Sequence, residues 1–116
     1  MEITKREQGP VTVLDLKGRL DLASGSMLKE EIKKLFDKNG NLIHLNMTDV
    51  EFINSSGLGS LVSIMKEVRL LKGRFTLSNL ASYVQEIFEI TQLSHIFEVF
   101  PTEQEALASF QSPATN

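Results

Sequence analysis

Asp49-Val50-Glu51-Phe52-Ile53-Asn54-Ser55-Ser56-Gly57-Leu58-Gly59 is the stretch on which the fold turns. Val50, Phe52 and Ile53 form a buried-looking run. Leu58, Leu61, Val62, Met65 and Val68 then recur at the spacing of one helix face. Between the two lie Asn54, Ser55, Ser56 and Gly57, residue types that open helices, because a side-chain oxygen can accept from an unpaired amide of the first turn. Upstream, residues 42–47 read as a short, largely apolar strand and residues 48–53 as a loop with buried side chains. Downstream, Gly73 closes the helix and residues 74–78 read as another strand. The stretch is the joint of a β-α-β unit.

Working outward, residues 2–7 read as a weak strand, and Gly9-Pro10 is a turn signal. Residues 11–17 read as a strong strand with Thr12, Leu14 and Leu16 on one face and Gly18 as its end. Ser24 is a candidate N-cap for a helix whose stripe is Leu28, Ile32, Leu35 and Phe36. Gly40 stands where a left-handed cap residue is expected. Residues 81–91 form a third helix, with Val84, Ile87, Phe88 and Thr91 inward. Residues 96–100 make a short strand, and Pro101-Thr102 starts a terminal helix. Residues 111–116 are expected to be a frayed tail on a single domain spanning 1–110. The order β-β-α-β-α-β-α-β-α predicts an open α/β sheet, mostly parallel, with an antiparallel pair at its N-terminal end and helices chiefly on one face. The expected core is Leu14, Leu16, Leu28, Ile32, Leu45, Phe52, Leu58, Leu61, Val62, Val84 and Phe88.

Composition narrows the function. The chain has 116 residues, enough for one core and not two. It has no cysteine, which excludes disulfides, thiol nucleophiles and cysteine-held zinc. A net charge of -3 supplies no overall positive field for nucleic acid, so no direct nucleic-acid partner is expected. No segment has the length and apolarity to span a bilayer, and the first residues lack the apolar core of a signal peptide, so a cytoplasmic protein without a membrane partner is expected.

Candidate chemistry is sparse. His44 and His95 are far apart and lack metal-ligand spacing, so they read as structural or solvated imidazoles, with no metal. Ser55 and Ser56 sit where a hydrolase would place its nucleophile, but no glycine stands two residues before either. Gly57-Leu58-Gly59 is a weak nucleotide signal because Val62 occupies the third glycine position of the fingerprint. Its structural counterpart is a close approach of helix to sheet through Gly57 and Gly59. Lys66, Arg69, Lys72 and Arg74 form a basic cluster, read as a solvated face or a small dock for an acidic partner. The serine pair reads either as one capping and one exposed residue, or as a phosphosite fixed on a rigid element.

Three blocks carry a resemblance over residues 3–110. Gly18-Arg19-Leu20-Asp21 resembles G-E-[LI]-D. The stretch 49–59 resembles D-[LV]-x-[FY]-[IM]-D-S-[ST]-G-[LIV]-G. Val84-x-x-x-Phe88-Glu89-Ile90-Thr91-x-Leu93 resembles V-x-x-[LI]-F-[DE]-[IM]-[ST]-G-L. In this order they are similar to the anti-sigma factor antagonists, the STAS domains. The resemblance implies a STAS-type open mixed sheet of about five strands with about four helices. It implies a non-enzymatic protein without cofactor that binds an anti-sigma factor, itself a serine kinase, when unphosphorylated. That binding frees a sigma factor for transcription. Phosphorylation on Ser55 releases the complex, and a phosphoserine phosphatase resets the switch. The implied partner surface is Asp21, Ser24, Asn54, Ser55, Ser56, Gly57 and Leu58. Asn54 stands where the pattern has Asp, and Gln92 where it has Gly, so the end of the third helix is expected to turn differently. Asn54 also keeps open an alternative: a STAS accessory or sensory subunit of a transporter or stress complex that is never phosphorylated.

Overall fold

The computed structural model describes residues 1–111. Five strands, β1 (Glu2–Gln8), β2 (Val11–Leu20), β3 (Leu42–Ile53), β4 (Arg74–Ser78) and β5 (Glu98–Phe100), form one sheet in the order β1-β2-β3-β4-β5. The β1-β2 pair is antiparallel through the Gly9-Pro10 turn, and every later pair is parallel. Helices α1 (Leu22–Phe36), α2 (Ser55–Leu70), α3 (Ser82–Ile90) and α4 (Glu103–Gln111) connect or follow the strands. The expected mixed sheet with an antiparallel N-terminal pair is the observed one. Of the expected tail, Gln111 is the last residue of α4, and 112–116 lie outside the described residues.

The alternation of β-strand side chains divides the sheet into two unlike faces. Leu14, Leu16, Ile43, Leu45, Met47, Phe75 and Leu77 point into the main core against α1, α2 and α3. Val11, Val13, His44, Thr76 and Ala106 are buried on the other face, where α4 packs. Polar contacts tie α4 down there: Arg6 bridges Asp15 and Glu103, and Asn46 donates to Glu103 at 2.8 Å. His44 is fully buried between Thr76 and Ser78, its Nδ1 2.6 Å from one hydroxyl and its Nε2 2.7 Å from the other. It is thus a structural imidazole.

Several boundaries differ from the sequence reading, each for a local reason. β2 does not stop at Gly18, and 48–53 is strand rather than loop. Gly18, at φ +123°, absorbs an irregularity in the β2-β3 register, so Leu20 still pairs with Ile53. Ser24 is not the N-cap of α1; Asp21 is, and Ser24 closes the capping box from the third helical position. The left-handed residues at the helix exits are Asn39, Lys72 and Gln92, not Gly40 or Gly73. Gly73 is needed for proximity instead: a Cβ there would lie 2.1 Å from the Asn41 carbonyl oxygen. Gln92, at φ +62°, keeps the backbone that glycine would take at that position, so the departure from the motif does not alter the turn.

β5 starts at Glu98, because Leu93–His95 forms a 3-10 turn that drops Phe97 into the core. Thr91 ends α3 on the surface rather than facing inward. Of the expected core, Phe52 and Val62 are half-buried and the other nine residues are buried. Ile64 takes the place on the inner face of α2 that Val62 was expected to hold. The basic cluster is partly structural: Arg74 pairs with Glu98 across β4-β5, and Arg69 donates to the Ile96 carbonyl at 2.7 Å.

Candidate functional site

Leu20 and Ile53 are register partners at the C-terminal ends of β2 and β3, so the residues that follow them are neighbours. Asp21 caps α1, Asn54 caps α2, and the Asn54 amide donates to the Leu20 carbonyl at 3.2 Å. Two helix N-termini therefore open side by side at the end of a parallel sheet, where open α/β folds place their sites.

Each cap has its own chemistry. The Ser24 amide donates to Asp21 Oδ1 at 3.1 Å, and Ser24 Oγ accepts from the Asp21 amide at 2.9 Å while donating to the Arg19 carbonyl at 2.7 Å. The hydrogen bond from the Ser24 amide holds the Asp21 carboxyl below its ordinary range. On α2, Asn54 Oδ1 accepts from the Gly57 amide at 2.9 Å. That bond uses only the oxygen, which Asn and Asp share, so Asn54 performs the structural part of the motif's Asp.

Gly57 brings α2 against the strand end. A Cβ there would lie 2.2 Å from the Leu20 carbonyl oxygen. Gly59 has open space around it, so the expected close approach through both glycines holds only for Gly57. Gly25 does the same for the helix pair, since a Cβ there would meet Ser60 Oγ at 2.2 Å.

Cap and close contact together leave Ser55 and Ser56 exposed on the first turn of α2. Neither serine is the cap, which corrects the reading that one of them caps while the other is free. Of the seven expected surface residues, Asp21, Asn54, Ser55 and Ser56 reach solvent. Ser24, Gly57 and Leu58 are buried and shape the loop from beneath.

Sequence reasoning missed the site's apolar and aromatic surroundings. Leu22, on the first turn of α1, is 66% exposed, and Met27 is also exposed. Neither belongs to the stripe of α1, and that is the signal which could have found them. Arg19 lies 3.9 Å over the Phe52 ring, and Tyr83 stacks on Phe52 with centroids 6.5 Å apart. This layered group flanks the strand ends.

Residues 2–106 match the sequence profile of the STAS domain. The chain belongs to the STAS family. Among curated STAS relatives, the anti-sigma-B factor antagonist of Listeria monocytogenes is 29% identical over 105 residues, covering 90% of this chain and 91% of that protein. The anti-sigma-B factor antagonist of Bacillus subtilis is 28% identical, covering 82% of this chain and 85% of its own. Among solved STAS structures, that of the anti-sigma factor antagonist SpoIIAA in its unphosphorylated form superposes with a TM-score of 0.74 at 23% identity, covering 95% of this chain and 98% of that one. At that identity the likeness speaks for the fold. No helix among the described residues is long and apolar enough to cross a membrane.

Proposed function

We propose that the chain is an anti-sigma factor antagonist that works by partner switching. It binds an anti-sigma factor through the paired helix N-termini at Asp21 and Asn54, and it is released when Ser55 is phosphorylated. The observation that carries this reading is the exposed Ser55, held on the first turn of a 16-residue helix by the Asn54 cap and the Gly57 contact. The anti-sigma-B factor antagonists among its relatives support it. The partner is then also the serine kinase, a phosphoserine phosphatase resets the protein, and the chain is a substrate in the cell's cytoplasm rather than a catalyst.

The energetics suit a switch. A serine hydroxyl enters an interface at little cost once it finds one hydrogen bond. A phosphate brings about -1.5 to -2 charges to the same point. On the free protein it sits at the positive end of α2, so the fold tolerates it. In the complex it must lose water or meet a cation. A penalty on the order of 3–4 kcal/mol weakens binding several hundredfold.

The test is incubation with the cognate kinase-type anti-sigma factor and ATP, followed by intact mass and a peptide map. The expected product carries one phosphate, on Ser55. Ser55→Ala should bind and stay unmodified, while Ser55→Asp should bind more weakly, chiefly through a shorter complex lifetime. Phosphate on Ser56, or none on a protein that binds its kinase, would overturn the assignment.

A further inference from the structure

α1 and α2 lie side by side and run in the same direction. Gly25 meets Ser60 near their N-terminal ends, and further along Lys33 and Phe36 of α1 share one groove with Glu67, Leu70 and Leu71 of α2. This groove holds about 530 Å³ and lies at the far end of the helices from Ser55. Leu70 is 82% exposed, the most exposed large apolar side chain among the described residues, and Leu71 beside it is 48% exposed. Isolated exposed leucines are ordinary; two together beside a half-buried phenylalanine, in a groove edged by Lys33, Asp37 and Glu67, are not.

The charges say what covers it. Lys33 stands on the α1 wall and Glu67 on the α2 wall at the same level, Asp37 lies at the C-terminal end of the α1 wall, and none of the three joins an ion pair among the described residues. We propose that this groove is the contact face of a homodimer, closed by a second copy of the chain across a twofold axis that runs along the groove.

Such an axis lays α1 of one copy over α2 of the other at equal height. Lys33 then faces Glu67 of the second copy, and the reverse pair forms by symmetry. Phe36 lies over the leucine pair of the second copy, giving an apolar centre with a charged rim. A twofold axis across the groove would instead set α1 on α1 and α2 on α2, like charge on like. The axis along the helices also fixes the outcome for the switch. Both copies of Ser55 point to the same end of the dimer, about 20 Å from the contact, given 1.5 Å of rise per residue along α2. Both remain accessible, and a two-headed partner could engage the pair with a gain in avidity.

The experiment is sedimentation velocity on the full chain from about 1 μM to about 500 μM, a range that detects dissociation constants of ordinary weak dimers. The expected result is a rise from the 13.0 kDa monomer towards twice that mass. Leu70→Asp and Lys33→Glu should each weaken the dimer at least tenfold. Lys33→Glu combined with Glu67→Lys should recover it, because the reversed charges face each other again. Leu70 and Lys33 are exposed, so both variants keep the fold, which far-UV circular dichroism verifies. A monomer throughout the range, a dimer indifferent to Leu70→Asp, or a double reversal no better than Lys33→Glu alone would overturn the proposal.

Discussion

Acidification from pH 7 to pH 5 should destabilise this protein through one side chain, His44. Its imidazole is fully buried, with each nitrogen on a hydroxyl of β4, and burial pushes its pKa from the usual 6.5 down to about 4. The nearby Glu103 carboxylate pulls the other way but is outweighed. The folded state therefore holds the neutral ring while the unfolded chain takes up a proton below about pH 6.5. The unfolded state binds more protons throughout the interval between the two values, so stability falls as pH falls, and the loss is complete below about pH 4.

A shift of two to three pKa units amounts to about 3 kcal/mol in full, of which about 2 kcal/mol is lost by pH 5. The carboxylates held low by their partners, Asp21 and Glu103, lose their contributions as pH falls from the ordinary carboxylate range down to their lowered folded values, below this interval. The assay is urea denaturation at pH 7, 6 and 5 on the native chain and on His44→Gln, which can still donate and accept but does not titrate here. The variant should be less stable at pH 7, yet nearly flat between pH 7 and 5. A native chain that loses less than about 0.5 kcal/mol between pH 7 and 5, or a variant with the same slope, would refute the reasoning.

Four further outcomes are expected, each read from a denaturation midpoint. Asn54→Ala should cost about 1 kcal/mol by removing the α2 cap, whereas Asn54→Asp should keep that stability because the oxygen facing the Gly57 amide is retained. Gly59→Ala should stabilise by about 0.5–1 kcal/mol, since its Cβ meets open space on a helix. Gly57→Ala should destabilise by roughly 2 kcal/mol through its clash with the Leu20 carbonyl. Gln92→Gly should raise stability by about 0.5–1 kcal/mol by relieving a left-handed backbone, and an unchanged midpoint would show that Gln92 carries no strain.

Much of the fold was legible because its signals are local. The stripe Leu28, Ile32, Leu35 follows the helix period, Gly9-Pro10 marks its own turn, and the block 49–59 carries both a strand end and a helix start in consecutive residues. The serine pair was found for the same reason, since residue types that open helices cluster there. These features depend on neighbours within one or two turns of chain, and periodicity reads them without knowing what lies opposite.

What escaped depends on residues distant in the chain. The continuation of β2 past Gly18 rests on pairing with β3, more than twenty residues on. That Asn54, not a serine, caps α2 is decided by the Leu20 carbonyl and the Gly57 contact, which fix how the helix meets the strand end. The burial of Ser24 follows from packing α1 on α2, and the burial of His44 from β4 and the arrival of α4. Local sequence patterns set which segments form strands and helices, because backbone sterics and side-chain periodicity act over a few residues. Which polar groups end up buried, capped or left exposed was settled by packing between segments far apart in the chain, because desolvation and hydrogen-bond partners exist only once those segments meet.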